Sequence, residues 1–150
     1  MEFPKSIKAI DSEAFSGCGN LYIEKFPQSI SLIGADAFAG CNSLYDIDLS
    51  GCSFNGNKFN FDIFKDCNLH MIRLPYGTET VTGDIENCTV FFPNTVKVIN
   101  GSLDRCKLHF TSKNPPTLKR SGYENTIYVP KNCTTAYYGT WGNLNNYVEE

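Results

Sequence analysis

Two neighbouring segments of this 150-residue chain carry the same pattern at an offset of 23 residues. The first runs from Phe3-Pro4 to Leu21 and the second from Phe26-Pro27 to Leu44, and both end in Ala-Phe-x-Gly-Cys-x-x-Leu. Weaker copies follow, with apolar-Pro steps at Leu74-Pro75, Phe92-Pro93 and Val129-Pro130. Repeats of this period stack on one another, because a single copy cannot bury its apolar set alone. The chain is therefore predicted to fold as a stacked repeat array.

The repeats also predict the course of the chain inside each rung, as we call one repeat. Apolar residues alternate before the proline, as at Ile72 and Leu74 around an outward Arg73, which is typical of a short strand. The proline ends the strand because it has no N–H to donate. A second extended piece is expected next, followed by a helical turn at 35–38 that Gly40 closes in a left-handed conformation.

From these features we predict one domain over residues 1–150. About five rungs occupy residues 1–122, and a terminal rung and cap occupy 123–150. The expected architecture is an α/β solenoid of short parallel strands with helical or 3-10 turns. Solenoids must cover their terminal rungs, so Tyr137, Tyr138 and Trp141 are expected to lie on a short helix that covers the last core face.

Phe26 to Leu44 resembles, almost position for position, the BspA-like leucine-rich repeats of bacterial surface proteins. Residues 125–141 resemble the terminal segment of Bacteroides-type members. The chain departs from the consensus at Leu49-Ser50, where proline is absent, and in the Asn/Phe-rich insertion 53–62. The resemblance implies a leucine-rich-repeat fold and a secreted or surface-attached protein that adheres to host matrix or other cells. Because the chain enters mid-repeat at Phe3-Pro4 without a signal peptide, we expect a mature protein or a piece of a longer array.

The seven cysteines favour a structural role. Five of them recur once per repeat, 23, 26, 21 and 18 residues apart, and are predicted to form a ladder of buried free thiols: Cys18, Cys41, Cys67, Cys88 and Cys106. Parallel side chains on stacked rungs give a poor disulfide dihedral. Cys52 and Cys133 lie off this ladder and could pair or be free.

The sequence offers little chemistry for metal, cofactor or catalysis. No C-x2-C pair occurs. His70 and His109 each follow a ladder cysteine by three residues and come directly after Leu69 and Leu108, which align in one column of the repeat, so both histidines are expected to face outward on strands. The sequence therefore predicts no zinc site and no cofactor. Asp46 and Asp48 share an exposed strand face and could bind a cation weakly, although no EF-hand loop surrounds them. Known catalytic motifs are absent from the sequence. We therefore predict a non-enzymatic protein.

Charge and hydropathy restrict the partners. A net charge of -3 argues against nucleic acid, which rewards dense Lys/Arg patches, and no apolar run approaches the roughly 20 residues of a membrane span. Instead the repeats predict an outward column on the sheet, enriched in the aromatic and arginine residues of interface hot spots. The candidate binding face comprises Lys25, Asp48, Arg73, Phe91, His109 and Tyr128, with Tyr22, Tyr45 and His70 beside it.

The expected partner is a protein or glycan ligand on host or neighbouring cells. Two alternatives stay open at this point. The face could be a solvated sheet surface with incidental aromatic residues, in which case the protein is a structural spacer or scaffold without a specific ligand. An enzyme is the third reading, and no motif favours it.

Overall fold

The computed structural model describes residues 1–120, 122–143 and 145–150. Short parallel strands dominate it, and they fall into three rows that each rung crosses in turn. The first, which we call the front row, is one sheet that has six strands within the described residues. In sheet order they are β3 (Asp46–Asp48), β5 (Met71–Arg73), β8 (Thr89–Phe92), β11 (Lys107–Phe110), β13 (Thr126–Val129) and β14 (Asn146–Glu149).

The second row, which we call the side row, lies between the front-row strands in sequence. Its four-stranded sheet pairs β4 (Lys58–Asn60), β6 (Thr80–Thr82), β9 (Val98–Asn100) and β12 (Thr117–Leu118) in this order. A separate parallel pair comes earlier in the chain, β1 (Ala9–Ile10) with β2 (Leu32–Ile33). Every pairing in the described part of the chain is parallel, as expected when each rung crosses over in the same sense.

The third row, which we call the turn row, joins the side row to the next front-row strand. Within the described residues, strands form here only late in the chain, where β7 (Ile85–Glu86) pairs with β10 (Leu103–Asp104). Earlier rungs cross this row as tight turns, one of which is the 3-10 turn Phe61–Phe64. A second 3-10 turn, Asn55–Asn57, lies before β4 and outside this row. The expected helical turn at 35–38 is wrong, because Asp36 adopts a left-handed φ of 54°, which an α-helix cannot contain. Gly40 has the left-handed conformation predicted for it, with φ 70°.

The prolines and one aspartate end the front-row strands. β5, β8 and β13 stop at or just before the predicted prolines. Where proline is missing, the Asp48 carboxylate accepts hydrogen bonds from the Ser50 amide at 2.9 Å and the Ser50 hydroxyl at 2.6 Å. This local turn closes the strand by another route, because an aspartate side chain can replace the backbone acceptor.

Side chains from all three rows meet in one apolar core. Ile72, Val90, Leu108 and Ile127 pair in register on the front row and are fully buried. Phe38 is also fully buried and stacks between Phe15 and Phe64, with ring centroids 5.3 and 5.4 Å away. The core is therefore continuous from rung to rung.

A column of thiols runs along the turn row. All seven cysteines are free. Cys18, Cys41, Cys67, Cys88 and Cys106 each follow a residue with left-handed φ between 52° and 74°, namely Gly17, Gly40, Asp66, Asn87 and Arg105. Cys41 donates its thiol hydrogen to the carbonyl of Phe15, and Cys67 donates to Phe38, both at 3.0 Å. These two thiols each satisfy a carbonyl of the preceding rung. The prediction that all five ladder thiols are buried is wrong for Cys18, which is exposed, and Cys67 is only half-buried.

Asn125 continues this column after Cys106. It follows Glu124, which has φ 56°, and it is buried. Its side-chain amide donates to the Leu103 carbonyl at 2.7 Å, and its side-chain oxygen accepts from the Cys106 amide at 2.8 Å. The amide therefore donates to a carbonyl of the preceding rung, as the thiols of Cys41 and Cys67 do, and it also accepts a second hydrogen bond from that rung.

The C-terminal segment has one α-helix, α1 (Thr134–Trp141). Tyr137 and Trp141 lie one helical turn apart and are buried, and they bond the carbonyls of Ser112 at 2.8 Å and Pro116 at 2.9 Å. Tyr138 was expected to cover the core too, but it is exposed because it lies on the adjacent face of the helix. The chain then adds β14 beyond β13, so the helix does not end the front-row sheet.

Candidate functional site

The predicted surface column lies on the outward face of the front row. Strand pairing sets Asp48, Arg73, Phe91, His109 and Tyr128 directly beside one another on five successive strands. Alternation along each strand points these side chains away from the core, since Ile47, Ile72, Val90, Leu108 and Ile127 between them are buried. We call these five residues the front column.

Four members of the front column form a continuous stack. The Arg73 guanidinium carbon lies 3.8 Å from the centre of the Phe91 ring. The Phe91 and His109 rings are 4.4 Å apart at 17°, and the His109 and Tyr128 rings are 4.2 Å apart at 2°. The His109 Nδ1 also lies 3.2 Å from a carboxylate oxygen of Glu150. All four are half-buried, because each covers the faces of its neighbours.

This stack determines what a ligand can touch. Both faces of Phe91 and of His109 are covered by neighbours in the column, so a ligand from solvent meets the edges of these two rings. Ring edges carry partial positive charge, and the Arg73 side chain adds a full one. A partner would therefore contact the edge hydrogen atoms of these rings and the positive charge of Arg73. Little ring face in the front column is free for it to pack on.

At the other end of the front column, the Asp48 carboxylate interacts with neighbouring positive charges. Burial opposes ionisation of Asp48, yet hydrogen bonds from Ser50 and the charges of Arg73 and Lys25 hold the pKa of that carboxyl below its usual value. Lys25 thus acts on Asp48 from the preceding rung, although it lies outside any strand. Asp48 is an anion at neutral pH, so the column begins with alternating charges.

A second group flanks the front column and is more exposed. The rings of Tyr45 and His70 stack at 5.1 Å, and Tyr22 of the preceding rung is 62% exposed. The main-chain oxygen of Tyr22 accepts from the amino group of Met1 at 2.6 Å. We call Tyr22, Tyr45 and His70 the flanking group. Free aromatic surface on this side of the protein lies here.

His70 and His109 are not equivalent, contrary to the alignment that placed Leu69 and Leu108 in one column. Leu108 pairs with Val90, and Val90 pairs with Ile72. Leu69 lies three residues before Ile72, in an extra turn that follows Cys67 but not Cys106. His70 therefore belongs to the flanking group, and His109 belongs to the front column.

The described residues contain no group of three or more His, Cys, Asp and Glu side chains placed to hold a metal ion. The Asp46 and Asp48 carboxylates lie on one strand face, as predicted, but Asp48 is engaged by Ser50. In residues 1–120, 122–143 and 145–150 no helix is long and apolar enough to span a bilayer.

Sequence reasoning missed one feature of the surface. A cleft opens in the turn row between the third and fourth rungs, lined by residues from 61–69 and 84–86 together with Ser102, Asp104 and Arg120. The available signal was the change in cysteine spacing, from 26 residues before Cys67 to 21 after it.

Comparison with curated proteins and with solved structures returned no match. Comparison with protein families gave a match over residues 1–89 to the BspA type leucine rich repeat region, in six copies. The matched residues include both strong repeats and the ladder cysteines from Cys18 to Cys88, and they cover more than half of the chain. The chain therefore belongs to the BspA-type leucine-rich repeat family.

Proposed function

We propose that this chain is a non-enzymatic binding module of a secreted or surface-attached bacterial protein, and that it recognises a partner on host or neighbouring cells through its front row. In this proposal the rungs form one continuous solenoid, and the front column with its flanking group is the recognition surface. Membership of the family supports it, because BspA-type repeats generally serve as surface modules that interact with proteins.

The observation that carries the proposal is the arrangement of the front column. Arginine and aromatic side chains stand in register across adjacent strands, and stacking holds them in fixed positions. A pre-ordered surface loses less side-chain entropy when a partner binds. Arg, Tyr and other aromatic residues are also the types that dominate binding energy at interfaces.

The structure favours a protein partner over a glycan at the front column. A sugar ring that packs on an aromatic face cannot reach the faces of Phe91 and His109, which neighbours cover. The flanking group offers freer aromatic surface, and Tyr22 has the most exposed ring in it. A glycan would therefore bind at Tyr22 and Tyr45, and a protein partner could span both groups.

The test is binding of the purified chain to immobilised extracellular matrix proteins and to a glycan array, beside two variants. The first replaces Arg73, Phe91 and Tyr128 by Ser, which removes three members of the front column. The second replaces Tyr22 and Lys25 by Ser, both exposed, and should leave the fold intact. A matched control replaces Tyr76 and Lys58 by Ser, which removes the same residue types from exposed positions outside the front row.

If the front row binds, either recognition variant loses at least ten-fold in affinity for the captured ligand, and the control does not. Equal loss in the control would contradict a front-row site. Circular dichroism and a melting curve for each variant separate loss of binding from loss of fold.

A spacer or scaffold domain without a specific ligand is the second candidate. The stack favours it in one respect, because cross-strand aromatic pairs stabilise a sheet by about 0.5–1.5 kcal/mol each without any ligand. A spacer would show no saturable binding, and the triple variant would change only its melting temperature.

A further inference from the structure

The turn row is held together by a regular set of backbone hydrogen bonds. In the first, second and fourth rungs, the residue three before the ladder position and the residue one before it donate their N–H groups to carbonyls of the next rung, and in the fifth rung the residue one before it does so. The set comprises Phe15 to Ala37 (2.8 Å), Gly17 to Ala39 (2.7 Å), Phe38 to Ile63 (3.0 Å), Gly40 to Lys65 (2.8 Å), Ile85 to Ser102 (2.9 Å), Asn87 to Asp104 (3.0 Å) and Arg105 to Tyr123 (3.0 Å).

This set is interrupted between the third and fourth rungs. By the same rule, the Asp66 N–H should donate to the Glu86 carbonyl, and the Asp84 carbonyl should accept from the third rung. Neither bond forms, and within the described residues the Asp66 N–H and the carbonyls of Asp84 and Glu86 have no hydrogen-bond partner. The turn row therefore has an open edge on each side of this junction.

The thiol ladder is interrupted at the same place. Cys67 donates to the Phe38 carbonyl of the preceding rung. The Cys106 thiol reaches the Ile85 carbonyl of the preceding rung at 3.7 Å, and it also contacts the Asp104 carbonyl of its own rung at 3.3 Å. Cys88 turns instead to the carbonyl of its own neighbour Thr89, at 3.6 Å. An independent set of contacts thus marks the same separation of the two rungs.

The cause lies in the two kinds of rung that meet here. The first three rungs carry a stacked phenylalanine in the turn, Phe15, Phe38 and Phe64. The later rungs carry Ile85 and Leu103 on short strands instead. Because the front row and side row remain paired across the junction through β5 with β8 and β4 with β6, the rungs separate only along the turn row.

The separation forms a wedge-shaped cleft of about 450 Å³. The buried apolar residues Phe61, Phe64 and Leu69 contribute to its lining. Asp84 and Glu86, whose unpaired carbonyls are two residues apart, line the cleft from the fourth rung, and Asp66 lines it from the third. Groups two residues apart match the period of an extended peptide, whose alternate N–H groups point to one side.

Charge distinguishes the possible occupants. The carboxylates of Asp62, Asp66, Asp84, Glu86 and Asp104 line the cleft against only two cationic side chains, Lys65 and Arg120. The Arg120 guanidinium lies 3.3 Å from Asp84, and Arg105 pairs with Glu86 from outside the lining. A formal excess of three negative charges remains among the lining residues, which attracts cationic side chains.

We propose that this junction cleft binds an extended peptide segment of a protein partner that carries lysine or arginine. The segment adds to the open edge of the turn row as a short strand, with its N–H groups donating to the carbonyls of Asp84 and Glu86 and a carbonyl accepting from the Asp66 N–H. Main-chain bonds to an exposed edge give affinity in this mode of recognition, and side-chain pockets give specificity. The site shares no residue with the front row, so either proposal can fail alone.

The probe is a fluorescently labelled acetyl-Lys-Thr-Lys-Thr-Lys-amide peptide, titrated into the full chain at low ionic strength. Saturable binding is expected, together with slower hydrogen exchange at the Asp66 amide. An otherwise identical peptide with Glu in place of Lys should not bind. A lysine peptide with alternate amides N-methylated keeps its charge but loses its donors, and it should bind at least ten-fold more weakly.

Four variants of the chain locate the site. Asp84→Asn combined with Glu86→Gln should weaken binding at least ten-fold, whereas Glu2→Gln combined with Asp11→Asn makes the same change of charge on the first rung and should not. Lys65→Gln removes a competing cation from an exposed position and should tighten binding, an effect that misfolding cannot produce. The front-row triple variant should bind the peptide normally.

Equal binding of the N-methylated peptide would overturn strand addition, because charge alone would then explain capture. An unprotected Asp66 amide at saturation, or equal weakening by the first-rung variant, would overturn the location.

Discussion

The Asn125 side-chain amide donates a 2.7 Å hydrogen bond to the carbonyl of Leu103. Cys67 makes the equivalent contact to Phe38 with its thiol. At these two places the same position of the repeat satisfies a carbonyl of the preceding rung, and either a thiol or an amide can do so. Asn125 also accepts from the Cys106 amide and donates to the side-chain oxygen of Asn145 at 3.1 Å, so it connects three consecutive rungs.

Removing this amide should destabilise the C-terminal rungs. Asn125→Ala leaves the Cys106 N–H and the Leu103 carbonyl buried without a partner, and each such group costs about 1–3 kcal/mol. We expect a loss of about 2–4 kcal/mol in the free energy of unfolding, measured by urea denaturation.

Asn125→Cys tests the ladder more directly, because a thiol can still donate to Leu103 but accepts weakly from Cys106. Its loss should be smaller than that of Asn125→Ala. Asn100→Ala, at an exposed position, is the control and should change stability little. An equal free energy of unfolding for Asn125→Ala and the wild type would show that these hydrogen bonds do not contribute to stability.

The phenylalanine stack should dominate the stability of the first three rungs. Phe38 is fully buried between Phe15 and Phe64 and meets Phe26 edge to face at 5.7 Å. Phe38→Ala should therefore cost about 3–5 kcal/mol, measured as a shift in the urea midpoint at constant slope. Phe15→Ala at the half-exposed end of the stack should cost clearly less. Similar losses for both would mean that the stack is not held as the structure shows it.

The cap predicts a contrast between two neighbouring tyrosines. Tyr137 is buried and its hydroxyl bonds the Ser112 carbonyl, whereas Tyr138 is 52% exposed. Tyr137→Ala should cost about 3–5 kcal/mol, as large buried aromatic residues do, while Tyr138→Ala should cost less than about 1 kcal/mol. Trp141, the single tryptophan, is buried beside Tyr137 at 5.9 Å and provides the fluorescence signal. A larger loss of stability for Tyr138→Ala than for Tyr137→Ala would mean that α1 turns a different face toward the core from the one in the structure.

The sequence predicts the front row well, because alternation and the apolar-Pro step set both the strand and its outward residues. Asp48 to Tyr128 therefore align as expected. Their role in binding stays a prediction.

The conformation of the turns was harder to predict from the sequence. The left-handed position before the ladder residue is glycine in only the first two rungs, and it is Asp66, Asn87, Arg105 or Glu124 afterwards. Non-glycine residues rarely adopt this conformation, although Asp and Asn do so more often than others, so Asp66 and Asn87 give a weak local signal and Arg105 and Glu124 give none.

The misplacement of Leu69 has the same origin. Rungs with an extra turn after the ladder cysteine and rungs without it share the cysteine but not the strand register. Aligning the cysteines alone therefore set Leu69 against Leu108. The junction cleft arises where two kinds of rung meet, and neither kind shows a defect by itself. The change in cysteine spacing around Cys67 marks the position of this junction in the sequence, but it does not show that the turns separate there.

The buried thiols predict how stability depends on pH above neutrality. Burial raises the pKa of Cys88 to about 12 and that of Cys106 to about 11, from 9.0. Between pH 9 and pH 11 the unfolded chain loses these protons while the folded chain keeps them, so unfolding is favoured as the pH rises. The contribution of each thiol is thus complete below pH 9 and falls by about 1.4 kcal/mol per pH unit above it.

Urea denaturation in the presence of a reductant, at intervals from pH 7.5 to pH 10.5, measures this slope. Other groups titrate in the same range, so the test is a difference between variants. Cys88→Ala and Cys106→Ala each remove one ionising group and should flatten the decline by about 1.4 kcal/mol per pH unit, whereas Cys18→Ala, at an exposed position, should leave it unchanged. Parallel declines in all three variants would mean that the ladder thiols ionise as readily in the folded chain as in the unfolded one, and would contradict the raised pKa values of Cys88 and Cys106.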